Sequence, residues 1–314
     1  MILSALTGQQ RCYWGKSTAL FSHALQVKKE FIYLMRDYLI YTSAGSAANI
    51  KQWYTSTNRK YDIWVTNYTN TASLNREYSD FYNEHIGSKF QNLKYVFQEH
   101  SDLLSKYKAI WVADDDIIIS PNSLNALFKI LENNDLWMLQ PAFSLFGKIS
   151  HIITKRKLFS SLRYTNFVEV TCPLFKTDKL FDFLSVYDPE LSTCYGLDWW
   201  FSHHFGIYNQ NRYAISDTYY CINPYDYFKS TGRREIDLLN SPQDRILMGE
   251  TIKRKIGING FEYKEYHKIQ KNIIESICSV PAFALEVLFV KALPFLVNIK
   301  QLFRTKKSQT YQAN

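Results

Sequence analysis

The chain has 314 residues, with 37 Lys and Arg against 29 Asp and Glu, a net charge of +8. Hydrophobic residues make up 46% and charged residues 21%, ordinary globular usage that excludes a wholly disordered chain. With 11 Gly and 8 Pro it is neither collagen-like nor a linker.

The length prior is one large domain or two small ones. The unusual feature is the aromatic content: 23 Tyr, 21 Phe and 7 Trp. A chain this long buries a substantial core, yet so many rings leave some near the surface, where they pack against sugars or partners. The five cysteines, Cys12, Cys172, Cys194, Cys221 and Cys278, are odd in number and no two form a CxxC. A disulfide framework or zinc knuckle is disfavoured, and a reducing compartment is expected. MILSALTGQQRCYWGKS lacks a charged segment followed by a long apolar run, so the expectation is a cytoplasmic protein without a signal peptide.

In chain order, a helix is predicted over 17–36. Residues 38–42 read as a strand, 43–47 as a loop of small residues and 49–54 as a helix. Residues 61–68 read as a second strand, 93–98 as a third, 100–107 as a short helix and 109–113 as a fourth strand. Ser120 then fits an N-cap and Pro121 the first helical position, with Leu124, Leu127, Phe128 and Leu131 at helical spacing. Residues 136–143 and 167–175 read as further strands, the second framed by 160–163 and 178–186. A final strand over 213–222 ends in Asn223-Pro224. This alternation predicts an α/β class, a Rossmann-like, mostly parallel sheet flanked by helices. No internal repeat appears. Asn, Ser and Pro within 237–243 mark a boundary, giving an extension over 1–37, a main domain over 38–240 and a tail over 241–314.

The tail concentrates the charge. From Glu250 onward there are 11 Lys or Arg and 5 Asp or Glu, so +6 of the +8 lies there. Its apolar stretch, 273–303, is interrupted by Glu275, Glu286, Lys291 and Lys300, with Pro281 and Pro294 inside it. No uninterrupted run reaches the roughly 18 apolar residues of a spanning helix. Amphipathic helices with basic flanks suit a leaflet surface rich in anionic lipid. A helical pair packed on the domain has the same pattern. With the charge localised in the tail, nucleic acid is not an expected partner.

The sharpest feature is Asp114-Asp115-Asp116, between AIWVA and Ile117-Ile118-Ile119. Alternation on a strand sends Asp114 and Asp116 to one side and Asp115 to the other. Two converging carboxylates repel unless a cation sits between them, and Mg²⁺ or Mn²⁺ takes oxygen ligands. Strand carboxyl ends are also where open α/β sheets bind ligands. The bland reading is a polar turn that caps the following helix.

In Cys194-Tyr195-Gly196-Leu197-Asp198-Trp199-Trp200, Gly196 permits a close approach. Asp198 is either a general base for an acceptor hydroxyl or an N-cap. Trp199 and Trp200 either stack on a sugar or belong to the core. His203 and His204, about 100° apart on a helix, are read as structural. Glu169 is a lone acid in an apolar strand, either a substrate-hydroxyl acceptor or a partnered core acid.

YKAIWVADDDI, NFVEVTCPLF, STCYGLDWWF and YAISDTYYCINP occur in the order of a family of plant and bacterial proteins known by a "domain of unknown function" label. The chain resembles that family over about residues 38–235, and the family in turn resembles GT-A glycosyltransferases. The resemblance implies a GT-A-like fold, a nucleotide-sugar donor, a saccharide or lipid-linked acceptor and a divalent ion, Mn²⁺ or Mg²⁺, held by a DxD motif. It places Asp116 as principal metal ligand, Asp114 on the ribose or sharing the metal, and Asp115 and Glu169 on the nucleotide sugar. Ser43, Ala44 and Gly45 would lie against the nucleotide, and Asp198 would be the base of an inverting member. Such families end the last strand in a metal-binding His. Here Asn223 stands, a weaker ligand for a hard cation. The expected function is metal-dependent glycosyl transfer, on the inner face of the plasma membrane, in surface-polysaccharide synthesis. The rival expectation is a non-catalytic sugar- or partner-binding protein with a degenerate metal site.

Overall fold

The computed structural model describes residues 35–191, 195–206, 208–225, 241–258 and 260–311. The helix expected over 17–36 and the boundary over 237–243 fall mainly outside these, as do Cys12 and Cys194. Asp37–Asn314 forms one compact unit.

In chain order the unit runs β1 (Tyr38–Ala44), α1 (Lys51–Tyr54), β2 (Tyr61–Asn67), β3 (Phe81–Glu84), α2 (Lys89–Leu104), β4 (Ala109–Val112) and α3 (Pro121–Asn133). There follow β5 (Met138–Phe143), β6 (Ser160–Thr165), β7 (Leu174–Lys176), α4 (Thr177–Val186), α5 (Leu197–His204) and β8 (Tyr213–Cys221). Last come α6 (Pro242–Lys255), β9 (Glu265–Gln270) and α7 (Ile273–Tyr311).

Among the described residues nine strands form one sheet in the order β3-β2-β1-β4-β7-β5-β8-β6-β9. The α/β class is as expected. Its first half, β3-β2-β1-β4, is wholly parallel. The second half is mixed: β5 and β8 pair in parallel, while β4–β7, β5–β7, β6–β8 and β6–β9 are antiparallel. "Mostly parallel" therefore holds for one half only. In the parallel half β1, β2 and β4 are buried along their whole length. Strands covered on both faces carry near-continuous apolar runs rather than alternating ones, and AIWV fits that rule.

Five expectations give way. Residues 93–98 are not a strand but the middle of α2, whose start carries a Ser88–Gln91 capping box. Phe90, Leu93 and Val96 are buried from its inner side. The helix expected over 100–107 is the end of the same α2, past a non-helical residue at His100. The stretch 167–175 is not one strand: only Leu174–Lys176 pairs, and 160–163 belongs to β6. Ser43 and Ala44 lie inside β1 rather than in a loop. The tail supplies an edge strand, β9, and not helices alone.

Candidate active site

The carboxyl ends of β1 and β4 meet at the acidic run. The Asp114 amide donates to the Thr171 carbonyl (2.9 Å). One Asp114 carboxylate oxygen accepts from Lys89 Nζ at 2.7 Å. Lys89 also donates to the carbonyls of Val170 (2.7 Å) and Thr171 (3.0 Å), which uses all three ammonium protons. The cation that Asp114 was expected to need thus comes from the first residue of α2. The Asp114 side chain stays 46% exposed, so it remains open to a ligand. Asp115 accepts from the Gly45 amide at 2.8 Å and ties the end of β1 to the run. Ser43 Oγ accepts from Asn92 Nδ2 at 3.0 Å. The helix after the run is capped by Ser120, whose hydroxyl accepts from the Ser123 amide, so the three acids are not its cap.

Asn223 reaches the run through an antiparallel bridge between Ile118 and Ile222. Each backbone amide of that bridge donates to the other residue's carbonyl at 2.9 Å. The register sets Asn223 opposite Ile117, next to Asp116. Gly147 permits this approach, because a Cβ there would lie 2.3 Å from the Asn223 carbonyl oxygen.

A second cluster adjoins the first through residues 169–171. Asp198 is the second residue of α5 and 5% exposed. Gly196, in the left-handed region at φ 87°, occupies the N-cap position, so the cap role weighed for Asp198 does not apply. One Asp198 oxygen accepts from the Trp199 amide at 3.0 Å. The other lies 3.5 Å from His151 Nε2. A carboxylate in a helix's first turn also gains from the macrodipole. His151 Nδ1 lies 2.8 Å from the Tyr263 hydroxyl, so both ring nitrogens face protein partners. Glu169, 2% exposed, accepts from the hydroxyls of Thr171 (2.7 Å) and Thr154 (3.3 Å). It is a partnered acid beside His151 and Asp198.

Burial works against the His151 cation. The hydrogen bond and charge of Asp198, with the charge of Glu169, outweigh it and leave the His151 pKa raised. Burial also raises the Glu169 pKa, against the opposing pull of Thr171 and His151. In both cases the folded chain holds protons that the unfolded chain releases. The His151 contribution is therefore fully present below its ordinary value of 6.5 and lost as pH rises through the raised folded value, while the Glu169 contribution begins to fall above its own ordinary 4.5. The melting temperature should fall over that window in the native protein and fall less in His151→Gln. An unchanged slope in the variant would show that His151 is not the titrating group.

The frame beneath is a buried ion pair. Arg163 of β6 and Asp217 of β8 bond at 2.7 Å with both side chains fully buried. Arg163 also donates to the carbonyls of Ile153 (2.7 Å) and Lys155 (3.0 Å), and Asp217 accepts from the Lys157 amide (2.9 Å). These bonds pin the 153–157 segment that follows His151.

The two tryptophans divide. Trp200 packs in the core against Phe183 and Tyr187. Trp199 is half-buried, with Lys253 Nζ 4.1 Å from its ring and Tyr195 at its edge. His204 packs on Phe183 and lies 3.5 Å from Asp182.

Neither Lys89 nor His151 stands out in the sequence as a site residue. A signal existed for Lys89: a cation at a helix N-terminus opposes the macrodipole, which calls for a partner. His151, in Ser150-His151-Ile152-Ile153, carries no local pattern.

No family model and no curated sequence matches the chain. Among solved structures it is similar to S. aureus TarS. The TarS 1–349 complex with UDP-GlcNAc gives a TM-score of 0.48 at 12% identity, covering 80% of this chain and 72% of that one. The complex with UDP gives 0.42 at 13%, covering 72% and 73%. A longer TarS structure gives 0.44 at 12%, covering 71% of this chain, and this chain spans 43% of its length. At such values the likeness assigns no role to any residue.

Proposed function

We propose that the protein is a glycosyltransferase that moves a sugar from a nucleotide-sugar donor to a hydroxyl of a saccharide or lipid-linked acceptor. The observation that carries this is the pairing of two clusters. A buried carboxylate, Asp198, sits with its own His partner. Beside it, a strand-end acidic run tied to the β1 terminus offers a seat for a nucleotide.

In an inverting transfer the acceptor oxygen forms the new bond to the anomeric carbon. The bond from that carbon to the diphosphate oxygen breaks, and its electron pair leaves with the nucleoside diphosphate. The acceptor proton passes to a carboxylate oxygen of Asp198. His151 and Tyr263 hold that carboxylate in place. Ser43, Ala44, Gly45, Asp114 and Asp115 face the nucleotide in this reading.

The donors present suit a hard divalent ion held largely by substrate phosphate. Such ions need only one or two protein carboxylates, and the register of the Ile118–Ile222 bridge runs Asn223 opposite Ile117, the residue after Asp116. Asp116 and Asn223 would hold Mn²⁺ or Mg²⁺, with Asp114 sharing it only through the oxygen that Lys89 leaves. When bound, the ion neutralises charge on the departing diphosphate.

A second reading is favoured by one observation. Lys89 already compensates Asp114, and among the described residues no group of three His, Cys, Asp or Glu gathers to hold a metal. A glycosyltransferase-like binding protein with a degenerate metal site would look like this.

The discriminating test is a thermal-shift screen of UDP-, GDP-, CMP- and dTDP-sugars with and without Mn²⁺. A donor at about 100 times its Kd stabilises by about 2.7 kcal/mol. The transferase reading expects stabilisation by one nucleotide class that grows with Mn²⁺ and loses the Mn²⁺ increment in Asp116→Ala. Transfer on that donor should be lost in the same folded variant. A shift indifferent to Mn²⁺ in both proteins supports the binding protein. Full transfer by Asp116→Ala contradicts the metal role.

A further inference from the structure

The helix α7 opens with Ile273–Leu293, 21 residues that are long and apolar enough to cross a membrane by length and composition. Its middle is nevertheless fastened to the sheet domain. Glu286 is fully buried, paired with the buried Arg156 guanidinium and accepting from the Leu145 amide at 3.0 Å. Arg156 in turn lies over the ring of Tyr220 in β8, 3.7 Å from its centroid. Phe289 packs edge-on to Phe146, and Phe283 lies near Arg156.

Among the described residues nothing covers the opposite face. Ile273, Ile277, Val280, Ala284 and Leu288 stand exposed at helical spacing, flanked by Ile274 and Leu285. A row spaced by three and four residues is one continuous stripe. Lys291 continues it, exposed.

From this we infer that α7 docks the protein in the plane of a bilayer surface rich in anionic lipid, with the Arg156–Glu286 pair as its clasp. Spanning would draw the buried ion pair, with the loop that carries Leu145 and Arg156, into hydrocarbon. Unpaired backbone and charge are not tolerated there. Lying flat keeps the pair in protein and gives the apolar stripe to the acyl boundary.

Charge selects the partner. Beyond Ile273 the chain has five Lys or Arg, Lys291, Lys300, Arg304, Lys306 and Lys307, against Glu275 and Glu286, and Glu286 is already paired. Long basic side chains beside an apolar stripe extend to headgroups. A stripe of this charge repels a second copy of itself. This inference deepens the glycosyl-transfer reading on one point, that the acceptor is presented at a membrane.

Full-length protein should float with vesicles of phosphatidylglycerol and phosphatidylcholine, remain behind with pure phosphatidylcholine, and be released from cell membranes by alkaline carbonate. Leu285→Glu together with Leu288→Glu should lower vesicle partition roughly a hundred-fold, about ten-fold for each leucine withdrawn. The variant should keep its melting temperature and its donor-induced shift. Loss of that shift would bear on the transfer site, not on docking. Three results overturn the inference: equal flotation of the double variant, resistance of the native protein to carbonate, or a dimer abolished by the variant with no vesicle binding in either protein.

Discussion

Asp198→Asn should lower transfer by about 10²–10⁴-fold, the range for removing a positioned general base, while donor affinity and stability stay near native. Asparagine keeps the side-chain shape and can still accept from the Trp199 amide, but it cannot take the acceptor proton. The expectation follows from geometry. Asp198 is nearly enclosed, one oxygen is fixed by the helix backbone and the other lies against His151. Such a carboxylate has little freedom to be replaced by water. The measurement is kcat/KM with a matched donor and acceptor, beside the donor Kd. A loss confined to kcat marks a group that acts on the reacting atoms. An unchanged rate would remove Asp198 from the chemistry and leave it a buried structural partner of His151.

Asp217→Ala should cost about 3–5 kcal/mol of stability, the penalty for stranding one partner of a buried ion pair. The stranded group is Arg163, fully buried with its carboxylate gone. Its remaining bonds to the Ile153 and Lys155 carbonyls carry no charge, and Glu265, 3.4 Å away and shared with Lys157, offsets the cation only in part. The segment leading back to His151 should loosen with it, so activity should fall beyond what unfolding explains. Urea unfolding with the slope compared between variants measures the first effect. Replacing both partners by apolar residues of similar volume should recover much of the stability, because a buried pair is a weak net stabiliser. A cost below about 1 kcal/mol for Asp217→Ala, the range of an exposed pair, would contradict this account of the frame.

Three of the four strands of the parallel half, β1, β2 and β4, were legible because they are buried on both faces and read as unbroken apolar runs, the predicted 38–42, 61–68 and 109–113, whereas the half-exposed edge strand β3 was not. The start of α3 was legible because Ser120 and Pro121 are strong local signals. The misreading of 93–98 shows the limit of short windows. Leu93, Val96 and their aromatic neighbours suit a strand, and only the Ser88–Gln91 box upstream reveals the helix. The split of 167–175 was hidden for a different reason. Glu169 bonds Thr171, and the Val170 and Thr171 carbonyls accept from Lys89, the latter contacts made across the fold that no local pattern encodes. The same holds for the site. Asp114, Asp115, Asp116 and Asp198 announce themselves as charges beside apolar segments. Their partners Lys89 and His151 lie 25 and 47 residues away in sequence, and Tyr263, which bonds His151, lies 112 residues from it; all become neighbours only after the sheet forms. The clasp on α7 is equally remote: Glu286 reads as an interruption of an apolar run, and only Arg156 explains it.

Hydrogen–deuterium exchange with the donor selected by the shift screen, resolved by peptide, tests most directly whether the strand-end rim seats a nucleotide sugar. Slowed exchange confined to the segments around Ala44-Gly45 and Asp114–Asp116, and reduced in Asp116→Ala, is the result expected. Protection confined elsewhere, with those two segments exchanging at the unliganded rate under saturating donor, would contradict it.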